Sequence, residues 1–167
     1  MKHLILFFLL LAGFAVNSFG QASATATSSG TIITPISISK TVDMNFGNAA
    51  VNSVAGTVVL TPAGTRTKTG GVTLPASAGT VTAASFTVSG LANSTYVITL
   101  PATPVTLTYN VTNTMTASSF TSSPTPTGTI GVGGSQTLTV GATLNVGASQ
   151  VAGTYVSAGF TVTVNYN

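Results

Sequence analysis

Residues that could carry out acid–base or nucleophilic chemistry are almost absent from this sequence. Its 167 residues include one carboxylate side chain, Asp43, one histidine, His3, and no cysteine. A glycosidase needs two carboxylates, and zinc and calcium sites need several good ligands. Asp43 alone supports none of these sites. The composition therefore predicts a protein that is not an enzyme and that holds no metal or cofactor.

One pattern of a catalytic type does occur. Ser37 and Lys40 match the S-x-x-K spacing of acyl-transfer enzymes, in which a helical turn brings the two side chains together. Here the surrounding residues alternate as a strand, so Ser37 and Lys40 are expected to point to opposite faces. The spacing is therefore interpreted as coincidence.

Two glycine-bounded stretches also resemble binding motifs. Gly131–Gly134 is followed by an alternating stretch and not by the helix that a dinucleotide fingerprint requires, so it is interpreted as a hairpin turn. Arg66 and Lys68, between Gly64 and Gly70, are predicted to lie at a hairpin tip. That tip is interpreted as solubilising, with contact to a polyanion as the alternative. Scattered charges of this kind do not form a nucleic-acid footprint, so no nucleic-acid partner is expected.

The first twenty residues are typical of a secretory signal peptide. Lys2 and His3 precede the apolar run 4–12, and the small residues Ser18 and Gly20 would flank cleavage before Gln21. The run is short for a membrane span. The sequence thus predicts an exported protein without stable membrane insertion after cleavage, with a signal-anchor as the alternative.

Beyond residue 20 the chain is rich in Thr, Val, Ala, Gly and Ser, and its apolar residues recur at period two. β-Branched residues suit a pleated surface, while Gly, Ser and Pro interrupt it. Turn signals bound each alternating stretch, and no helical stripe is present. The stretches are 32–39, 42–46, 57–61, 72–74, 84–88, 96–100, 105–109, 115–120, 137–146 and 160–166. They predict an all-β fold, an immunoglobulin-like antiparallel β-sandwich.

Breaker residues suggest how this sandwich is organised. Pro35 lies within the first predicted strand, which makes that strand an edge strand or a bent one. The cluster 122–128, with two prolines, is interpreted as a loop between two halves of one sandwich. The predicted organisation is a signal peptide (1–20), an amino-terminal arm or flexible leader (21–34) and one sandwich domain (35–167).

The carboxyl end is the most informative segment. Tyr166 is a penultimate aromatic residue, Phe160, Val162 and Val164 alternate before it, and Gly153 lies fourteen residues before the terminus. This ending resembles that of chaperone–usher pilus subunits. Together with stretches 43–47 and 56–60, it also resembles the Mat/Ecp-like fimbrial and spore-coat-U-like proteins and the small bacterial secreted domains of unknown function related to them.

The resemblance implies a mechanism of assembly. Pilus subunits of this type are sandwiches with an incomplete sheet edge, and the amino-terminal arm of the next subunit fills the groove by strand addition. By carry-over, Phe160, Val162, Val164 and Tyr166 would face the core and the groove. Like subunits forming a homopolymer, and a periplasmic chaperone, would be the partners. The protein would reach a fimbrium, the cell surface or the medium through the periplasm.

The segment 21–34 is the candidate donor arm. Its core-directed positions would be Ala22, Ala24, Ala26, Gly30 and Ile32. These side chains are small except at Ile32, whereas arms of the family carry bulkier residues. A flexible Ser/Thr/Ala leader is the alternative, and the sequence leaves both hypotheses open.

Three functions follow from these observations. The first is a secreted, non-enzymatic, pilin-like structural or adhesive subunit that assembles by β-strand addition. The second is a free-standing surface module of the same fold that binds ice or glycan through a flat Thr-rich face. The third is a small outer-membrane barrel, although aromatic girdles and uniformly long strands are lacking.

Overall fold

A computed structural model describes residues 20–167. The predicted signal peptide, apart from Gly20, lies outside the described residues. The chain divides into two units, Met1–Ile32 and Ile33–Asn167. In the first unit, residues 20–32 form neither helix nor strand, and their side chains are exposed.

The second unit is built from strands. They are β1 (Ser37–Val42), β2 (Ala50–Leu60), β3 (Arg66–Thr73), β4 (Ala84–Ser89), β5 (Thr95–Thr99), β6 (Val105–Tyr109), β7 (Asn113–Ser123), β8 (Thr127–Thr129), β9 (Ser135–Val146), β10 (Val156–Ser157) and β11 (Thr163–Tyr166). The large sheet has the order β1-β4-β9-β7-β6-β10, with β2 also paired to β9 and β3 paired to β2. The small sheet has the order β11-β5-β8. All pairs are antiparallel, and the predicted all-β antiparallel sandwich is confirmed.

Strand β9 organises the large sheet. Its first half pairs with β4 and its second half with β2, while β7 follows its other edge. Gly141 lies where β9 changes partner, and a Cβ atom there would collide with the main chain at Leu60 and Thr61. Glycine at this position therefore lets two backbones approach closely.

Two hydrophobic clusters fill the sandwich, and β9 contributes to both. The first joins β4 and β9 to the small sheet through Ala84, Phe86, Val88, Tyr96, Ile98, Ile130, Leu138, Val140, Val162 and Val164. The second lies against β2, β3 and the far half of β9 and contains Phe46, Val58, Leu60, Val72, Ala117, Ala142, Leu144 and Val146. Because side chains alternate between the faces of a strand, the period-two pattern of the sequence supplies these inward positions.

A bulge in β7 changes which residues face inward. Ser118 pairs with Thr143 and Thr121 with Gly141, so two residues of β7 oppose one residue of β9. Ser119 in the bulge has φ 51°. An extra residue shifts the parity of the strand, which moves the inward set from Ala117 to Phe120 and Ser122.

Some boundaries differ from the sequence prediction. The prediction that Arg66 and Lys68 lie at a hairpin tip is wrong, because both belong to β3 and the turn spans Thr61–Thr65. Gly131–Gly134 does form a tight turn, but it connects β8 and β9, which belong to different sheets. The first strand begins after Pro35, at Ser37, and it is an edge strand. Of the predicted loop 122–128, residues 124–126 lie outside the strands and connect β7 of the large sheet to β8 of the small one.

Candidate functional site: the edge strand β11

The carboxyl-terminal strand is paired on one side within its own domain. Thr163, Val164, Asn165 and Tyr166 oppose Thr99, Ile98, Val97 and Tyr96 of β5. The ladder continues one residue further, because Asn167 donates its main-chain N–H to Thr95 O at 3.3 Å and its side-chain amide to Thr95 Oγ1 at 2.9 Å. These bonds hold the last residue of the chain in place.

The other side of β11 is an open sheet edge. The bond between Asn167 and Thr95 fixes which residues direct their main chain toward β5, and the direction alternates along an antiparallel strand. The N–H and C=O groups of Val164 and Tyr166 therefore point away from β5. No described strand pairs with that side.

The side chains of the tail close one end of the first hydrophobic cluster. Val162 and Val164 are each 7% exposed. Phe160 is half-buried and lies with its ring centroid 6.4 Å from Phe86, edge to face, and 5.0 Å from Phe120. Phe160 and Val162 precede the strand itself, which begins at Thr163 rather than at Phe160 as predicted.

Tyr166 fastens the edge strand to two other segments. Its hydroxyl accepts a hydrogen bond from the N–H of Leu91 at 2.6 Å and donates one to Thr34 O at 2.8 Å. Gly90 makes this possible, since a Cβ atom there would collide with the Tyr166 hydroxyl. The end of the chain is thereby tied to the turn after β4 and to the segment before β1.

The first cluster is incompletely covered where β1 and β11 meet. These two edge strands are in contact, but no hydrogen-bonded ladder joins them. Three partly buried side chains of this cluster belong to the segments that meet here; they are Ile36 and Ile38 at β1 and Tyr166 on β11. Beside the seam, an open depression of about 360 Å³ is lined by Ile33, Asn93, Ser94, Thr95, Tyr166 and Asn167.

The remaining candidates from the sequence lie elsewhere. Gly153 is in the loop between β9 and β10, where a Cβ atom would overlap the ring of Tyr109, so it serves packing against β6 and not the β11 edge. The arm positions Ala22, Ala24, Ala26, Gly30 and Ile32 are exposed and unpaired by any strand. Ile32 is 97% exposed.

The chemistry available to the described residues is limited. Within residues 20–167, no group of three or more His, Cys, Asp or Glu side chains is placed to hold a metal ion. Lys40 forms an exposed ion pair with Asp43 at 2.6 Å.

Ser37 opposes the outward Ser89 and Lys40 opposes the buried Phe86, so Ser37 and Lys40 do face opposite ways, as predicted. Burial raises the pKa of Tyr96 above 10.0, and its hydroxyl donates to Gln136 Oε1 at 2.7 Å.

Sequence reasoning missed the partners of the tail. It singled out Tyr166 as a penultimate aromatic residue, but neither Thr34 nor Leu91 carries a local signal. Gly90, which follows the alternating stretch 84–88, is a local indication that another group can approach the backbone closely there.

These features define a class of protein: an antiparallel β-sandwich whose last strand is an open sheet edge. A family model, "Domain of unknown function (DUF4402)", matches residues 36–166. The chain belongs to this family. No curated protein and no solved structure matches it. Since the family description gives no function, the relation to pilus subunits stays a prediction. Residues 20–167 contain no helix with the length and apolar character needed to cross a membrane.

Proposed function

We propose that this protein is an exported, non-enzymatic surface subunit that assembles with like copies by β-strand addition. The amino-terminal arm of one copy would pair with the open edge of β11 in the next. A fibre or coat would result, either structural or adhesive. The proposed route passes through the periplasm to the cell surface, a fimbrium or the medium.

The observation that carries the proposal is the incompletely covered seam between β1 and β11. Main-chain groups of Val164 and Tyr166 point away from β5, and the half-buried side chains of Ile38 and Tyr166 belong to the two strands of this seam. An added strand would form hydrogen bonds with these main-chain groups and would cover these side chains. Unpaired sheet edges are templates for pairing with another chain.

Two features of the arm support a donor role. Residues 20–32 have no ladder of their own, and the Ile32 side chain is 97% exposed. Burying that side chain against another copy would contribute about 2 kcal/mol. The small residues Ala22, Ala24 and Ala26 would contribute less, so Ile32 is proposed as the main anchor.

Export and a chaperone complete the proposal. The features of residues 1–20 support secretion, and an open edge favours unwanted pairing before assembly. A periplasmic chaperone that covers β11 until the arm of a like subunit replaces it would prevent such pairing.

Assembly can be tested with the protein exported to a periplasm, run unboiled in SDS and imaged by negative stain. We expect a ladder of oligomers or thin fibres, and their loss when residues 21–32 are deleted, a deletion that keeps Thr34 as the partner of the Tyr166 hydroxyl. Ile32→Asp should prevent assembly as well, since it would place a charge at the proposed anchor. Thr31→Asp is the matched control, because Thr31 is an exposed neighbour of the opposite parity.

The site of addition can be mapped by disulfide formation, because the chain has no cysteine. One population would carry Thr27→Cys, at an arm position of the opposite parity to the core-directed ones, and the other Asn165→Cys on β11, where Asn165 is exposed and faces outward. Mixed under oxidising conditions, they should form a heterodimer. Thr67→Cys, an exposed residue on the outward face of the edge strand β3, should form none with the arm.

A sharp monomer that ignores the arm deletion would contradict the proposal. So would equal cross-linking of the arm to β3 and to β11. The monomer result would favour the free-standing surface module.

A further inference from the structure

The outer face of the large sheet carries hydroxyl groups in register. In β4 the residues Ala84, Phe86 and Val88 are buried, so the side chains between them point outward. Leu138 and Val140 fix the same alternation in β9. Nine outward residues of β1, β4, β9 and the end of β7, here called the hydroxyl ranks, are Ser37, Ser39, Ser85, Thr87, Ser89, Ser123, Ser135, Thr137 and Thr139.

The strand register arranges the hydroxyl ranks as a two-dimensional net. The three rows across the strands are Ser37–Ser89–Ser135, Ser39–Thr87–Thr137 and Ser85–Thr139–Ser123. Neighbouring strands lie about 4.8 Å apart, and alternate residues of one strand lie about 6.8 Å apart. The register therefore places hydroxyl groups one strand apart across the sheet and two residues apart along each strand, while Val42, opposite Ser85, extends the third row onto β1 with an apolar side chain.

No charge interrupts this net. Of the four charged residues in the described part of the chain, Lys40 opposes the inward Phe86, and Arg66 and Lys68 oppose the inward Leu60 and Val58. Asp43 follows β1 and pairs with Lys40. All four lie off the outer face.

Most of these hydroxyl groups remain available to an external partner. Within residues 20–167, the side chains of the hydroxyl ranks make one hydrogen bond to a protein atom. It runs from Thr139 Oγ1 to Ser123 O at 3.4 Å. Ser37, Ser39, Ser135 and Thr137 are exposed. Their donors and acceptors face solvent.

We propose that the hydroxyl ranks bind the surface of ice. A lattice made only of water offers hydrogen-bond donors and acceptors at regular intervals, which a regular net of hydroxyl groups can match. A charged side chain would impose its own hydration shell on that lattice, and none is present here. Neutral polysaccharide is the less favoured partner, because sugar sites use aromatic rings for stacking and the ranks contain no ring. This site is separate from the β11 edge and does not depend on strand addition.

The test uses the complete secreted chain in three measurements: the shape of ice crystals grown in its presence, the gap between freezing and melting points, and uptake into slowly growing ice. We expect faceted crystals, a measurable gap and enrichment in the ice. Thr137→Lys should abolish all three, because it places a charge within the net on an exposed residue. Ser39→Lys, on a different strand, should act in the same way.

Thr99→Lys is the matched control, since Thr99 is exposed on the small sheet and the substitution adds the same charge away from the net. Urea unfolding of each variant checks that the fold is retained. Absence of any effect of the wild-type protein on ice would overturn the proposal, as would an equal loss in Thr99→Lys. A third outcome is that the wild-type protein has no effect on ice but is retained on an insoluble neutral polysaccharide. If Thr137→Lys removes this retention and Thr99→Lys does not, the proposal is overturned in favour of glycan binding. Deletion of residues 21–32 should leave ice binding unchanged, so failure here and failure of strand addition are distinguishable.

Discussion

The Tyr166 hydroxyl donates a hydrogen bond of 2.8 Å to the main-chain oxygen of Thr34, 132 residues earlier in the chain. The same hydroxyl accepts from the N–H of Leu91, 75 residues earlier. One side chain thus ties the edge strand of the small sheet to the entry of β1 and to the turn after β4. This contact closes one end of the seam at which strand addition is proposed.

Removing that hydroxyl should loosen the end of the seam. For Tyr166→Phe we expect the free energy of unfolding to fall by about 1 kcal/mol, because two hydrogen bonds are lost while water can reach the groups left behind. Gly90→Ala should destabilise the wild-type protein more than it destabilises Tyr166→Phe, since the added methyl group meets the hydroxyl. Urea unfolding of both single variants and of the double variant measures this coupling. If the two single losses of stability simply add in the double variant, the contact between residue 90 and the Tyr166 hydroxyl is contradicted.

Val164 should contribute to stability through its side chain. Val164→Ala removes two buried methyl groups and leaves a small cavity, so we expect a loss of about 2 kcal/mol. Thr163→Ala, at the exposed neighbour, should change the free energy of unfolding by no more than about 0.5 kcal/mol. Similar values for the two variants would mean that the tail does not pack on the first cluster.

Arg66 should stabilise the loop between β1 and β2. Its guanidinium donates to the main-chain oxygens of Phe46 and Asn48, the latter at 3.0 Å. Arg66→Ala should therefore destabilise the fold by about 2 kcal/mol, because hydrogen bonds from a charged donor are lost. Lys68→Ala removes the same charge from an exposed position on the same strand and should be near neutral. Equal effects would assign the role to net charge instead.

The tip between β6 and β7 contains a strained residue. Val111 is 90% exposed and has φ 61°, next to Asn110 with φ 48°. A β-branched residue is disfavoured in this region, where glycine is not. Val111→Gly should raise the free energy of unfolding by about 1 kcal/mol. The control is Val132→Gly, equally exposed in a turn at 88% but without a positive φ, which should be neutral or slightly destabilising. Thermal unfolding of both compares them directly.

Stability should fall at alkaline pH because of Tyr96. Desolvation raises its pKa in the folded protein above the ordinary value of 10.0. Above about pH 10 the unfolded chain loses this proton while the folded protein keeps it, so unfolding becomes more favourable as pH rises. Below that pH the group has no effect on the slope. Tyr96→Phe should be less stable at neutral pH, because Gln136 loses its donor, but should show a shallower alkaline decline. Urea unfolding of the wild-type protein and of Tyr96→Phe between pH 8 and 11 measures this difference. An equal fall in the free energy of unfolding of both proteins would contradict the prediction.

The pair Gly70-Gly71 illustrates where local reasoning failed. The sequence predicts a hairpin tip between Gly64 and Gly70, with Arg66 and Lys68 inside it. In the fold Gly70 and Gly71 lie within β3, opposite an irregular stretch of β2 between Val51 and Gly56. A Cβ atom at Gly70 would collide with the main chain at Ala55. Glycine is required here because the neighbouring strand approaches closely, and not because the chain turns.

The sequence by itself determined the fold class and most of the inward-facing residues. Alternation with period two is a local property, so pairs such as Phe86 and Val88 could be assigned to the core without knowing their partners. Tertiary structure alone decided that β9 serves both clusters, that a bulge at Ser119 shifts the inward parity of β7, and that β11 pairs with β5 and leaves its other edge open. Those choices depend on contacts between residues distant in the chain. Since every strand here offers a similar ladder of N–H and C=O groups, the local pattern fixes each strand's faces but not its neighbours.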